Sequence, residues 1–291
     1  MSESSAVLEH TPAVVREGAA RSAPVRVLAF VEARGVTGAL RNLLDFATSS
    51  AHVRFELAMY WRSPRPGVAG PCTAGIQLAI DAAVTRGIPT HVLHERFAGD
   101  PRLLPQVRDL LRRTSADIIE THHVKSHALV AAAGVPIDER WIAFHHGYTA
   151  TTVKTRVVNL LDWWSLTRPA AIVTPCRAFA RELSRRGVDA SRINVIHSSV
   201  ALPPHANVGD VRAPLGLSAD DGIVLTIGRL SKEKAHAVLV EAFARAPLAK
   251  LPNAALLIAG DGPERPRLAA LARRRRLERV HFIGYQTNVW P

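Results

Sequence analysis

Short apolar runs alternate with segments of helical spacing along most of this 291-residue chain. Such an alternation builds a parallel sheet, because each helix returns the chain to the edge where the next strand begins. Strands are predicted near 25–31, 53–59, 90–93, 117–121, 141–145, 171–174 and 193–196. Helices are predicted near 38–48, 75–86, 102–114, 125–133, 152–167 and 176–186. Residues 25–200 are therefore expected to form one doubly wound α/β domain.

A second α/β domain is predicted over residues 222–291. Before it, residues 201–221 contain several prolines and no clear period, which is typical of an interdomain linker. Strands are then predicted at 222–227, 254–259 and 280–283, with helices at 232–245 and 263–276. Three strands would leave a sheet edge unpaired. The expected fold class is α/β, with two Rossmann-like, doubly wound parallel-sheet domains. The second domain is expected to be incomplete, in a truncated product or one that another chain completes.

The sequence favours a cytoplasmic protein. Residues 1–24 mix Ser, Glu, Ala and Arg without a period and lack the apolar core of a signal peptide, so a disordered leader is expected. No run of about eighteen apolar residues occurs, so no membrane span is expected. Cys72 and Cys176 form no Cys-x-x-Cys pattern, which fits a reducing compartment.

The net charge of +12 and the pI near 10.8 predict attraction to polyanions. Peripheral contact with the inner face of an anionic membrane is one expectation. For nucleic acid the pattern is weaker, because the arginines are scattered, aromatic residues make up 5% of the chain and no nucleic-acid-binding module is recognisable. No specific nucleic-acid partner is expected, and a basic nucleic-acid-binding protein stays open as an alternative.

Residues 222–235 carry the clearest ligand signal. The apolar run 223–227 is typical of a strand covered on both faces, and Gly228 at its carboxyl end allows a ligand to approach the backbone. Arg229 follows and can direct two donors onto phosphate oxygens. The order strand, glycine, arginine therefore predicts a diphosphate site.

Two lysines strengthen this interpretation. Ser231 is a predicted N-cap, which places Lys232 and Lys234 in the first turn of the helix over 232–245. A lysine there opposes the helix dipole by about 0.3–1 kcal/mol, and a bound anion would compensate. Solvated surface lysines are the alternative.

In the first domain, three predicted strands end in polar or glycine-containing segments. Gly35 and Gly38 lie where the first strand turns into a helix, and they can expose backbone amides to a phosphate or sugar, with a plain strand-to-helix turn as the alternative. Residues 120–127 and 144–148 each place histidines at a strand end. Because such ends meet at one edge of a parallel sheet, a polar pocket is expected there.

Metal chemistry is not expected. His123 and His127 have helical spacing that zinc could use, but no His-Glu-x-x-His motif or further ligand lies nearby. No Asp-x-Asp pair is present to hold a divalent cation against a diphosphate.

The helix over 152–167 is amphipathic. Its predicted buried face carries Val153, Val157, Leu160, Leu161 and Trp164. A membrane-surface or acceptor-facing role, suggested by Trp163 and Trp164, is the alternative.

Three motifs of the second domain follow in order: Gly228-Arg-Leu-Ser-Lys-Glu-Lys234, Ala259-Gly-Asp-Gly-Pro-Glu264 and Phe282-Ile-Gly-Tyr285. They resemble the nucleotide-sugar domain of retaining family 4 glycosyltransferases with the GT-B fold. Val195-Ile-His-Ser-Ser199 is similar to the domain junction of that family, and the strand ends at His122 and at His146-Gly147 are similar to its acceptor-side motifs. The resemblance covers most of residues 25–285.

The resemblance implies an enzyme that moves a sugar, with retention, from a nucleoside diphosphate sugar to a glycan or lipid-linked acceptor of the cell envelope. The nucleotide sugar is a co-substrate that sits between the domains, and no cofactor or metal is implied. The implied catalytic residues are His122 near the reacting sugar, and Arg229 and Lys234 on the departing diphosphate. The implied donor-side glycines are Gly35, Gly38, Gly228, Gly260, Gly262 and Gly284, and the implied acceptor-side residues are His146 and Gly147.

The chain also departs from the family pattern. Ala235 stands where the family usually has glycine, and Ser198 where it often has asparagine. The two family glutamates that contact donor sugar and ribose would follow position 291. Weak transfer or none is therefore expected from the chain as given, and a noncatalytic protein that binds nucleotide sugar or a partner stays open as an alternative.

Overall fold

A computed structural model describes residues 23–32, 35–62, 71–147, 153–198, 211–245 and 253–286. The predicted leader, apart from its last two residues, and the first half of the predicted linker lie outside this range. The chain divides into two compact units, Met1–Val200 (unit 1) and Ala201–Pro291 (unit 2). Each is described by itself.

Unit 1 contains a seven-stranded, fully parallel sheet. Its strands are β1 (Val25–Val31), β2 (Val53–Arg62), β3 (Thr90–Glu95), β4 (Ile118–His122), β5 (Trp141–Phe144), β6 (Ala171–Thr174) and β7 (Ile193–Val195). Its helices are α1 (Gly38–Ser49), α2 (Pro71–Val84), α3 (Leu103–Arg113), α4 (Val124–Ala132), α5 (Val153–Leu166) and α6 (Arg177–Arg185). This confirms the predicted fold class.

The strand order β3-β2-β1-β4-β5-β6-β7 creates a switch point between β1 and β4. Successive residues of β1 face opposite sides of the sheet. Leu28 and Phe30 join the core formed with α3 and α4, while Val27, Ala29 and Val31 join the core formed with α1 and α2. Because the helices next to β1 and β4 cover opposite faces, a crevice opens at the carboxyl ends of these two strands.

Helix α5 packs on the sheet by the face opposite to the predicted one. Leu160, Leu161 and Trp164 are 63%, 48% and 41% exposed, so the predicted buried face is wrong at these positions. The side chains of Val153 and Val157 lie outside the described residues. Among residues 158–166, whose burial the structure describes, the buried ones are instead Asp162, Ser165 and Leu166. The reason is a polar contact: the Asp162 carboxylate forms a hydrogen bond with His127 inside unit 1. Apolar periodicity in the sequence cannot predict such a contact.

Unit 2 contains β8 (Gly222–Ile227), α7 (His236–Arg245), β9 (Ala254–Ala259), α8 (Arg265–Arg274) and β10 (Val280–Gly284). Its three strands are parallel, in the order β10-β9-β8. Strand β9 is central and fully buried. Helices α7 and α8 cover one face through the core that contains Leu256 and Ile258. None of the helices in the described ranges is long and apolar enough to cross a membrane.

Strand β8 is not covered on both faces, and this prediction is wrong. Leu225 and Ile227 are 50% and 51% exposed. Among the described residues β8 pairs only with β9, and α7 and α8 pack on the face that carries Val224. On the opposite face Leu215 and Leu217 reach only as far as Ile223, so the end of β8 that leads to Gly228 remains open.

The segment after β8 also differs from the prediction. Lys232–Lys234 form a separate 3-10 turn, and α7 begins only at His236. Ala235 lies between them in the left-handed conformation, with φ 53° and ψ 30°, which interrupts the helix. The hydroxyl of Ser231 caps no backbone amide and instead donates to Glu233 Oε1 at 2.6 Å. The two lysines therefore precede α7 and do not lie in its first turn.

Replacing Ala235 by glycine should stabilise unit 2 by about 1 kcal/mol. A left-handed conformation costs a residue with a Cβ about 1–2 kcal/mol, and glycine adopts it at a smaller, entropic cost. Native-state hydrogen exchange of the β9 amides measures the change. The control is Ala242→Gly, an exposed position inside α7, where glycine should destabilise by about 1 kcal/mol. If hydrogen exchange of the β9 amides slows equally in both variants, or accelerates equally in both, the conformational argument is wrong.

Candidate functional site

Two candidate regions, one in each unit, lie at the carboxyl ends of strands. In unit 2 the loop after β8 is fixed by the backbone of the loop after β9. The amide of Gly228 donates to the carbonyl of Ala259 at 2.9 Å, and the amide of Leu230 donates to the carbonyl of Asp261 at 3.0 Å. Arg229 lies between these two bonds with an exposed side chain. The loop is therefore held on both sides of the cation.

Arg229 and Lys234 carry exposed charges on this loop. The hydrogen bond from Ser231 and the charges of Arg229 and Lys234 lower the pKa of Glu233, so both cations lie near that carboxylate. The ion pairs that the described residues of unit 2 form engage other cations: Arg245, Arg265, Arg267, Arg275 and Arg279. Neither Arg229 nor Lys234 takes part in them. The pair is thus available to an anion.

The glycines of unit 2 have different roles in the structure. A Cβ on Gly260 would overlap the carbonyl oxygen of Gly228, and a Cβ on Gly262 would overlap that of Leu230. Their φ angles of 135° and 159° also disfavour side chains. Both glycines therefore allow the two loops to pack backbone against backbone, independently of any ligand. Gly284 accepts from the amide of Gly260 at 2.7 Å and has a φ of 74°. Nothing lies within 4 Å of a Cβ built on Gly228.

In unit 1 the crevice between β1 and β4 is bordered by the glycine loop and by His123. A Cβ on Gly35 or Gly38 would meet no atom of the described residues within 4 Å, so the space around both glycines is open on that side. His123 has φ 96° and ψ 152°, a region that side chains rarely adopt. Strained backbone of this kind costs about 1–3 kcal/mol and is frequent at functional sites. The strain marks the end of β4 as a candidate site.

The histidines of the two strand ends come together in the structure. The ring of His122 stacks on Phe144 at 4.5 Å between centroids, and His146 lies 5.9 Å from His122 and 5.6 Å from His123. Nε2 of His122 lies 3.3 Å from Oε2 of the buried Glu120. Burial and the neighbouring His122 lower the pKa of His123 and of His146, although more than a third of His146 is accessible to solvent. Both rings are therefore neutral at neutral pH and able to donate or accept one hydrogen bond on each side.

Gly147 has a structural requirement of its own. Its φ is 85°, and a Cβ there would overlap the ring of Phe179. The neighbouring Tyr148 lies outside the described residues.

The sequence patterns did not reveal two buried polar groups in unit 1. One is Asp162, whose Oδ1 lies 2.7 Å from Nδ1 of His127. The other is Glu95, which pairs with Lys125 at 2.8 Å and with Arg62 at 3.0 Å beside the ring of Tyr60. The only signals for them in the sequence are that Asp162 lies in a helix with many apolar residues and that Glu95 lies at the end of a strand.

In this structure His127 is not free to bind zinc together with His123. Nδ1 of His127 faces Asp162 and its Nε2 lies 3.2 Å from the carbonyl oxygen of Thr121, so both ring nitrogens are occupied. Within the described ranges no group of three His, Cys, Asp or Glu side chains could hold a metal ion.

Two family models match the chain. The model described as Glycosyltransferase Family 4 matches residues 50–202, more than half of the chain. The model described as Glycosyl transferases group 1 matches residues 208–290. A comparison with curated proteins gives no match.

Solved structures share the fold. Alr3699/HepE of Anabaena in complex with UDP and glucose is 19% identical, with a TM-score of 0.68, and the match covers 90% of this chain and 70% of that one. Sucrose-phosphate synthase from Thermosynechococcus elongatus is 18% identical, with a TM-score of 0.60 and coverages of 90% and 71%. The lipopolysaccharide outer core galactosyltransferase WaaB in its apo form is 17% identical, with a TM-score of 0.58 and coverages of 90% and 69%. At these identities the likeness concerns the fold alone.

Replacing Gly260 or Gly262 by alanine should destabilise unit 2 by more than about 2 kcal/mol, because the added methyl group collides with backbone that cannot move independently. Hydrogen exchange of the β9 amides should accelerate, while exchange in β1 of unit 1 stays unchanged. Gly222→Ala is the control, since the nearest atom there, the carbonyl oxygen of Asn253, lies 3.8 Å away and the φ is ordinary. Unchanged β9 protection in the Gly260 and Gly262 variants would contradict the packing role.

Proposed function

The chain belongs to Glycosyltransferase Family 4, as its motifs predict, and from this premise we propose that it transfers a sugar, with retention, from a nucleoside diphosphate sugar to a glycan or lipid-linked acceptor. The observation that carries the proposal is the cationic loop of unit 2. Arg229 and Lys234 are exposed, flank Glu233 and take no part in the ion pairs of the described residues. HepE, which shares the fold, binds UDP and UDP-glucose, and this supports a nucleoside diphosphate as the anion.

The chemistry follows from where charge develops. When the bond between the sugar and the diphosphate breaks, negative charge grows on the leaving phosphate. Cations that are already in place therefore bind the transition state more tightly than the ground state. The hydrogen bonds of Gly228 and Leu230 hold the Arg229 segment before any ligand arrives.

We assign the sugar and acceptor side to unit 1. His122, His146 and Gly147 would contact the sugar and the acceptor, and the glycine loop at Gly35 and Gly38 would contact the donor. The neutral imidazole of His146 suits this role, because it can bond sugar hydroxyls without being drawn to the negative diphosphate. We expect same-face substitution, in which the departing phosphate accepts the proton of the acceptor hydroxyl. No metal or other cofactor is part of the proposal.

Arg229→Ala and Lys234→Ala should each lower kcat by about 10²–10³-fold, which corresponds to a loss of about 2.7–4 kcal/mol of transition-state stabilisation. The measurement is release of nucleoside diphosphate from labelled UDP-glucose and GDP-glucose with extracted glycan and lipid acceptors. NMR of the product should show the anomeric configuration of the donor. Lys232→Ala is the matched control, because Lys232 belongs to the same turn as Lys234 and is also exposed.

The same variants separate the alternatives. Calorimetric binding of UDP or GDP that Arg229→Ala abolishes, without turnover in the parent chain, would replace the transferase by a noncatalytic binding protein. Salt-dependent DNA binding that is indifferent to Arg229→Ala, with no nucleotide binding, would favour the nucleic-acid alternative.

We also propose peripheral contact with the inner face of an anionic membrane, where a cytoplasmic enzyme meets lipid-linked acceptors. Helix α5 exposes four large side chains, the α5 patch: Leu160, Leu161, Trp163 and Trp164. Arginines border this patch. The guanidinium of Arg168 lies 4.9 Å from the ring of Trp164, and Nε1 of Trp163 donates to the carbonyl of Arg186 at 2.7 Å. Tryptophan beside arginine suits the boundary between acyl chains and acidic headgroups.

The double variant Trp163→Ala/Trp164→Ala should lower the affinity for vesicles with anionic phospholipid by about tenfold or more, since each ring buries apolar area at the interface. Co-sedimentation with anionic vesicles measures the change, and vesicles of phosphatidylcholine should bind weakly throughout. Leu78→Ala on α2 is the control, because Leu78 is a large exposed apolar side chain, at 61%, that lies outside the patch. Vesicle binding that survives in the double variant would rule out the α5 patch as the contact.

A further inference from the structure

Helix α5 carries a completely buried carboxylate that no motif of the sequence predicts. Oδ1 of Asp162 lies 2.7 Å from Nδ1 of His127, and its Oδ2 lies 3.5 Å from Nδ1 of His145. All three side chains are buried. They belong to three different segments, namely α5, α4 and the residue that follows β5, so the carboxylate bridges parts of unit 1 that are distant in sequence.

The hydrogen bonds fix the charge of this bridge. The partners of the two His127 nitrogens are the Asp162 carboxylate and the Thr121 carbonyl oxygen, at 2.7 and 3.2 Å. A carbonyl and an ionised carboxylate can only accept, so the two contacts can both be hydrogen bonds only when both ring nitrogens carry hydrogen, in the imidazolium form of His127. Burial opposes ionisation of Asp162, but the hydrogen bonds from His127 and His145 prevail and lower its pKa. The bridge is thus a buried ion pair, with Nδ1 of His145 as a second neighbour of the carboxylate at 3.5 Å.

The bridge lies directly behind the candidate site of unit 1. The backbone amide of His127 donates to the carbonyl of His123 at 3.1 Å, and His123 is the residue with strained backbone. The carbonyl of Thr121 that receives Nε2 of His127 belongs to β4, next to His122. On the other side, His145 is followed directly by His146 and Gly147. One carboxylate therefore ties both histidine-bearing strand ends to α5.

Burying this acid takes precedence over burying apolar side chains. Turning Asp162 inward leaves Leu160, Leu161 and Trp164 facing solvent. Buried ion pairs contribute little to stability compared with apolar residues of the same volume, so stability alone gives no account of this choice. A role in fixing a unique arrangement of the strand ends does account for it.

We propose that Asp162 is a positioning residue, which holds His122 and His146 in place through the His127 imidazolium and through His145. The positioning role rests on the sugar transfer proposed above, whereas the charge of the bridge does not. The two parts therefore have separate readouts.

The charge is tested in the unmodified chain. Nitrogen-15 NMR of the histidine rings should show two protonated nitrogens on His127 at neutral pH, with slow exchange of both ring protons. A single protonated nitrogen on His127 overturns the imidazolium. This readout needs no substrate, so it stands whether or not the chain transfers sugar.

The positioning is tested with Asp162→Asn, which keeps the shape of the side chain and removes its charge. His127 should lose one ring proton, and kcat should fall by up to about 100-fold, as expected for a displaced site. The KM for the donor should change less than kcat, because Arg229 and Lys234, the cations assigned to the diphosphate, belong to unit 2. Ser165→Ala is the control, since Ser165 is equally buried on α5 and, among the described residues, its hydroxyl bonds only the backbone carbonyl of Asp162.

A second variant covers the case in which Asp162→Asn does not fold. His145→Gln leaves the pair of Asp162 and His127 intact and removes the other arm of the bridge, so kcat should fall while His127 keeps both ring protons. Unchanged kcat in a folded Asp162→Asn or His145→Gln variant, when the parent chain transfers sugar, overturns the positioning role. If the parent chain transfers no sugar, the proposed function fails, and the NMR result on the bridge still stands.

Discussion

The structure of unit 1 depends on one constraint: in a parallel sheet the carboxyl ends of all strands meet at the same edge. The strand order places β1 beside β4, and the helices that follow them cover opposite faces. The glycine loop after β1 and the imidazoles after β4 and β5 therefore become neighbours although they are far apart in sequence. The strained backbone of His123 lies at this point. Strain persists only where the surroundings hold it, and the bond from His127 to the His123 carbonyl is part of that support.

In unit 2 the position of a cation is fixed by backbone contacts alone. A cation that stabilises a leaving diphosphate is most effective when its position is fixed in advance. Gly260 and Gly262 let the loop after β9 approach the loop after β8 so closely that carbonyl oxygens occupy the space of their missing side chains. The loop that carries Arg229 is therefore held by backbone hydrogen bonds to the loop after β9, and it needs no ligand for this. In this unit the glycines act through packing, and the donor contact proposed for them from the family motif stays a prediction.

The sequence predicted the order of strands and helices well, because apolar periodicity and breakers are local signals. It failed where a nonlocal contact decided the outcome. Leu225 and Ile227 read as residues of a fully covered strand, yet β8 pairs with a single neighbour and its helices pack on one face. Ala235 gave no sign of a left-handed backbone, although the glycine that the family usually has there does fit that conformation. The presence of Arg229 and Lys234 on one loop was predictable, since both belong to one short motif. The bridge of Asp162 was not predictable, since its partners lie on other elements.

Helix α5 shows how two features of unit 1 arise from one orientation. On a helix, residues 162, 165 and 166 share a face, while residues 160, 161, 163 and 164 spread over the opposite side. Once Asp162 turns inward to the two histidines, the leucines and tryptophans of this helix must turn outward. The sequence would also allow α5 to pack by its apolar face. The observed orientation instead produces both the buried bridge behind the histidine cluster and the exposed α5 patch. A rotation of α5 that buried the patch would withdraw Asp162 from His127, so an apolar surface and a charged bridge can only be gained or lost together.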